Sequence, residues 1–173
     1  ALFDSVSYDK GCSLLLMIAD ILGYYQAGDS SFQTGLHNYL SRHAYGNAAS
    51  DDLWSALGEA APKGLPVDLT TFMHKFTKQM GYPLVTVKEN AAEDGWIITQ
   101  KRFLELPYQY QDPALRDSQS DYVWDIPITY SDSTSDSPKT IWFKSSDQQV
   151  TIPMESMSDL FLNVGRRGYY RVH

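Results

Sequence analysis

Phe76-Thr77-Lys78-Gln79-Met80-Gly81-Tyr82-Pro83-Leu84-Val85-Thr86-Val87 is the stretch in which the hydrophobic period of this chain changes. Before Gly81, Leu69, Phe72, Met73 and Phe76 recur at intervals of three and four, the spacing of one helix face. After Pro83 the period falls to two, beginning with the β-rich run Leu84 to Val87. The break at Gly81-Tyr82-Pro83 therefore predicts an α+β chain, with helices filling residues 1–80 and strands from about Leu84.

Working outward, the helical half divides into four segments. Ser7-Tyr8-Asp9 caps a helix to about Leu22, stopped by Gly23, whose Leu14, Leu15, Met17, Ile18, Ile21 and Leu22 cover most of its circumference. A helix apolar on so many sides is expected to be enclosed. Asp29 or Ser30 opens a second helix, with Phe32, Leu36, Tyr39 and Leu40 as its inward stripe. Ser50-Asp51-Asp52 opens a third, with Leu53, Trp54, Leu57 and Ala61 inward, and a fourth runs from about Asp68 to Met80. In the other half, Trp96 to Gln100, Tyr122 to Tyr130, Thr140 to Phe143, Val150 to Ile152, Leu160 to Val164 and Gly168 to Val172 read as further strands. Six or seven short strands predict a small antiparallel β-sandwich. Pro127 lacks an amide proton, so its strand should lie at an edge or carry a bulge. Ser131 to Pro138 reads as a hairpin loop.

Composition narrows the function classes. The 173 residues carry 14 Lys+Arg against 21 Asp+Glu, a net charge of −7. With no basic stripe, binding to nucleic acid is not expected. The longest apolar run, Leu14 to Ala19, ends at Asp20, so no transmembrane segment is predicted. Asp4, Asp9 and Lys10 break up any signal-peptide pattern. Cys12 is the single cysteine, which excludes an intrachain disulfide and any CxxC metal site. It reads as a small buried hydrophobe rather than a nucleophile.

His37, His43, His74 and His173 form no H-E-x-x-H and no i, i+4 pair, so each is read as structural. Gly28-Asp29-Ser30 lacks the flanking glycines of a serine-protease motif and is read as a helix cap. No G-x-S-x-G, P-loop or G-x-G-x-x-G occurs. Asp51-Asp52 and Glu93-Asp94 sit at a helix start and in a turn, which does not suggest a glycosidase dyad.

Phe3-Asp4-Ser5-Val6-Ser7-Tyr8-Asp9-Lys10-Gly11 resembles the F-D-x-[IV]-S-Y-x-K-G segment of the M1 (gluzincin) zinc aminopeptidases. Further M1-like pieces follow in the family's order. They are Tyr39-Leu40 with His43-Ala44-Tyr45-Gly46-Asn47-Ala48, then Asp51-Asp52-Leu53-Trp54, then Thr77-Lys78-Gln79-Met80-Gly81-Tyr82-Pro83. Gln100-Lys101-Arg102-Phe103, Trp124-Asp125-Ile126-Pro127 and Gly168-Tyr169-Tyr170-Arg171-Val172 complete the set. Phe76 departs from the family's usual Trp, keeping an aromatic in a core slot. The resemblance implies that residues 1–81 are the C-terminal helices of a thermolysin-like catalytic domain and that 82–173 are a β-sandwich domain.

The resemblance also implies what to expect of the chemistry. Tyr8 corresponds to the tyrosine whose hydroxyl donates to the oxyanion of the tetrahedral intermediate, a task suited to a neutral phenol. Phe3 matches an aromatic beside the specificity pocket, and reads equally as a core residue. The family's H-E-x-x-H, its downstream glutamate ligand and its G-[AG]-M-E-N loop are absent from the sequence. In the family they precede the S-Y-x-K-G segment. The chain is therefore expected to be an inactive fragment of a peptide-hydrolysing parent that binds Zn2+ through residues outside it. Its expected partners are peptide substrates and the missing catalytic and C-terminal helical domains of the same protein. Isolated, it is expected to expose an apolar patch around Leu14 to Leu22 and to self-associate there. A membrane-anchored ectoenzyme and a cytoplasmic parent both remain open, as does the alternative of a non-catalytic interaction or structural module derived from this family.

Overall fold

A computed structural model describes residues 6–25, 30–90, 95–105, 122–132, 137–153 and 159–173. The chain is α+β and divides into two compact units, Ala1–His74 and Lys75–His173. Four α-helices occur among the described residues: α1 (Gly11–Ile21), α2 (Ser31–Arg42), α3 (Ser50–Ala60) and α4 (Leu69–Lys78), the last crossing the division between the units. No described helix is long and apolar enough to cross a membrane.

Local chemistry accounts for the helix ends. At the end of α1, Gly23 takes φ 76°, its N–H donates to the Asp20 carbonyl, and the Tyr24 N–H donates to Ala19. This is a Schellman stop, with glycine at its left-handed position. At the start of α2, the Gln33 N–H donates to Ser30 Oγ at 3.1 Å and the Gln33 side chain turns back to the Ser30 N–H. Asp29 lies outside the described residues. Asp52 Oδ2 accepts from the Ala49 N–H at 2.7 Å, and Asp68 Oδ1 accepts from the Thr71 N–H at 2.8 Å at the start of α4. Those Thr71 bonds hold the Asp68 carboxyl below the usual carboxylate range.

Packing departs from the expected stripes at two places. In α1, Leu14, Met17, Ile18 and Ala19 are buried, whereas Leu15 and Leu16 are 37% and 42% exposed. Cys12 is exposed too. The helix thus has one covered face, and Cys12 belongs to the outer strip rather than to the core. The apolar patch expected over Leu14 to Leu22 narrows to that strip. In α2, Leu40 is 65% exposed. Gly35 takes the inward position instead: a Cβ there would lie 2.9 Å from Leu57 Cα, so only glycine allows this approach to α3. Leu40, five residues on, is turned away by about 140°. Arg42 and Glu59 tie α2 to α3 through a two-toothed ion pair of 3.0 and 2.5 Å. It is about half exposed, which makes it a weak contributor.

Leu69, Phe72, Met73 and Phe76 of α4 are all buried, as their spacing predicts. Gly81 then adopts φ 83° and the first strand starts at Pro83. Strands β1 (Pro83–Asn90), β2 (Gly95–Arg102), β5 (Val150–Pro153) and β7 (Arg171–Val172) form one sheet in the order β5-β2-β1-β7. Strands β3 (Ile126–Asp132), β4 (Lys139–Phe143) and β6 (Leu160–Leu162) form a second, in the order β4-β3-β6. Val85, Ile98 and Ile152 from the first sheet and Ile126, Ile128 and Phe143 from the second are buried in the core. The segment from 133 to 136 within the expected hairpin loop lies outside the described residues.

Three features correct the strand reading. β7 runs parallel to β1, whereas all the other pairs are antiparallel. The left-handed Asn163 (φ 55°) turns the chain through a short 3-10 turn, Val164–Arg166. Its side-chain amide closes that loop on the Gly168 N–H at 2.9 Å and the Gly168 carbonyl at 3.0 Å. This carries the chain from the second sheet to the first. Next, β3 is the middle strand of its sheet, yet β6 pairs only with Tyr130 to Asp132, so at Pro127 only β4 is hydrogen-bonded. Proline thus occupies a locally open edge. Finally, Tyr122 to Asp125 is not strand. The Gln100 side chain accepts from the Trp124 N–H and donates to its carbonyl, both at 2.9 Å, substituting for a ladder.

Trp124 and Asp125 anchor the second unit. The Trp124 indole is fully buried, donates to the Lys75 carbonyl at 3.0 Å and lies 6.4 Å from the rings of both Phe76 and Tyr122. Phe76 continues to Tyr169, so it fills an aromatic core slot as expected. Asp125 Oδ2 accepts from Lys75 Nζ at 2.7 Å, Oδ1 accepts from the Ser145 N–H at 2.8 Å, and Lys75 also donates to Ser145 Oγ.

Burial opposes ionisation of Asp125, but the Lys75 and Ser145 hydrogen bonds outweigh it and hold the carboxyl below its ordinary value. A depressed carboxylate gives stability that is fully present above the unfolded value of about 3.8 and is lost as pH falls through the folded value. Asp125→Asn is therefore expected to cost about 1.5–3 kcal/mol at neutral pH. The difference from the unchanged chain should shrink below about pH 4. Denaturant unfolding at both pH values checks this, and an equal deficit at each would contradict it.

Candidate functional site

The candidate site lies at the entry to α1. Val6–Lys10 forms a π-helical turn that runs straight into the helix and carries Tyr8, a residue that is 55% exposed. π-turns are uncommon and recur at functional positions. Ser13, in the first turn of α1, donates from Oγ to the Asp9 carbonyl at 2.7 Å and so links the wide turn to the regular helix. Burial pushes the Lys10 ammonium below the usual lysine range. Phe3 lies outside the described residues. The arrangement places a half-exposed tyrosine on a short, hydrogen-bonded backbone element.

Two of the histidines have partners within the chain. His74 Nε2 lies 2.8 Å from Asp51 Oδ1, joining α4 to the start of α3. The His43 ring lies 5.4 Å from that of Tyr39. Asp51 and Asp52 are thus engaged at a helix start, and Glu93-Asp94 lies outside the described residues. Among the described residues no three His, Cys, Asp or Glu side chains cluster in a way that could hold a metal ion. The described part of the chain therefore does not fit a zinc site. Neither the π-turn nor the Ser13 bond was expected from the sequence. The one available signal was a serine four residues after Asp9, just before the apolar run Leu14 to Ala19.

The model of the peptidase family M1 domain matches residues 1–76. Human thyrotropin-releasing hormone-degrading ectoenzyme is 38% identical over 178 residues, covering 99% of this chain and 16% of that protein. The chain belongs to peptidase family M1. Human endoplasmic reticulum aminopeptidase 2 is 34% identical across 99% of the M1 chain and 19% of its own length. Aminopeptidase A of Gloydius brevicauda is 36% identical across 100% and 17%, respectively. The M1 chain thus spans less than a fifth of each of these relatives. Its family segments fall on the π-turn at Tyr8, the first turn of α3, the end of α4 with the turn into β1, and the Trp124 anchor.

Proposed function

We propose that the parent of this chain is a zinc-dependent aminopeptidase that removes N-terminal residues from peptides. In this reading Tyr8 donates its hydroxyl proton in a hydrogen bond to the oxyanion of the tetrahedral intermediate. Residues 1–81 are the last helices of the catalytic domain, 82–173 are a β-sandwich domain, and the zinc ligands come from the parent's other segments. Zinc would supply Lewis-acid chemistry at the substrate carbonyl. Phe3 would line the specificity pocket. The relatives' names, an ectoenzyme and an endoplasmic reticulum aminopeptidase, favour an extracytosolic location over a cytoplasmic one.

The carrying observation is the end-to-end similarity to two named aminopeptidases, in a chain that carries the Ser7-Tyr8-Asp9-Lys10-Gly11 segment. The parent is expected to hydrolyse peptides with a free α-amino group and to spare N-acetylated ones. It should lose activity to a chelator and recover it with zinc, while the 173-residue chain alone stays inert. A zinc-loaded parent without hydrolysis, or turnover by this chain alone, would overturn the reading.

A further inference from the structure

The π-turn at Tyr8 poses a physical question, because an α-turn is the lower-energy arrangement for the same residues. Each residue of an α-helix turns the side-chain direction by about 100°. A π-turn holds about one residue more per turn, so side chains ahead of α1 point elsewhere than a continuous α-helix would send them. Something must keep that wide turn from relaxing. The Ser13 hydroxyl bonds the Asp9 carbonyl, four residues back, at the junction of the two helical forms. Back-bonding of this kind competes with the helical ladder and bends the helix axis.

We propose that Ser13 is a positioning residue for Tyr8: its bond to the Asp9 carbonyl holds the π-turn and thereby sets the direction in which the phenol leaves the helix. The proposal rests on the reading of Tyr8 as the oxyanion donor and extends it to a residue that need not touch substrate.

The test uses the zinc-loaded parent enzyme and four variants: Ser13→Ala, Ser13→Thr, Tyr8→Phe and the double variant Ser13→Ala/Tyr8→Phe. Ser13→Ala is expected to lower kcat by about 10- to 100-fold with KM little changed, the scale on which a misplaced group loses its effect. Alanine is the better helix former, so the melting temperature should hold or rise. Threonine can make the same bond four residues back, and Ser13→Thr should restore most of the rate. In the Tyr8→Phe background, Ser13→Ala should add less than about twofold, because no hydroxyl remains to be aimed.

A wild-type kcat in Ser13→Ala would overturn the proposal. So would a loss that Thr does not rescue, or one that multiplies in full with that of Tyr8→Phe. If Tyr8→Phe itself keeps most of its kcat, the oxyanion reading fails and the positioning role falls with it. A large Tyr8→Phe loss beside an indifferent Ser13→Ala sinks the positioning role alone.

Discussion

Tyr8→Phe in the intact parent should lower kcat by about 10²–10³, or roughly 2.7–4 kcal/mol of barrier, the usual cost of removing one donor to a developing oxyanion. KM should change little. A ground-state carbonyl oxygen is a weak acceptor, and the phenol's bond strengthens only as negative charge accumulates on it. Tyr8 is 55% exposed at the entry to α1, so phenylalanine should be accommodated without disturbing the core. Steady-state kinetics decide the matter. A raised KM at unchanged kcat would make Tyr8 a substrate-positioning group instead.

Trp124→Ala is the substitution expected to cost most in stability, about 3–5 kcal/mol. The indole is completely buried, packs beside Phe76 and Tyr122 and satisfies the Lys75 carbonyl. Alanine would leave a cavity and remove the hydrogen bond to the Lys75 carbonyl together. Against a total stability of about 5–15 kcal/mol, that is a large fraction. Trp124→Phe keeps most of the volume and should cost only the lost hydrogen bond, about 1–3 kcal/mol. Equilibrium unfolding monitored by far-ultraviolet circular dichroism measures both. A Trp124→Ala deficit below about 1 kcal/mol would show that the indole is not the anchor of the second unit.

What the sequence made legible is mainly local. Ser30 and Gly23 act within a few residues of themselves, so their capping roles could be read directly. The change of period at Gly81 likewise marks a real transition, with α4 ending at Lys78 and β1 starting at Pro83. The covered face of α1 could not be read, because Leu15 and Leu16 are as apolar as Leu14 and Met17. Only tertiary packing chooses between them. Leu40 was misplaced for a related reason: periodicity counts large apolar side chains, whereas the close approach of α2 to α3 is made by Gly35. Tyr122 to Asp125 alternates like a strand, yet its backbone is held by Gln100 from distant sequence. The parallel β1–β7 pair depends on the turn at Asn163, a non-local choice of partner. At the site, Tyr8 looked like an ordinary helix-start aromatic until family resemblance singled it out. The π-turn has no residue signature at all, since it is a property of hydrogen-bond register.

The most direct measurement of the central claim is the inhibition constant of a phosphinic peptide, a tetrahedral mimic of the intermediate, against the intact parent and its Tyr8→Phe variant. The account predicts weaker inhibition of the variant by about the factor that kcat loses, 10²–10³, with substrate KM nearly unchanged. Equal inhibition of the two proteins would contradict it, because the tetrahedral oxygen would then receive nothing from Tyr8.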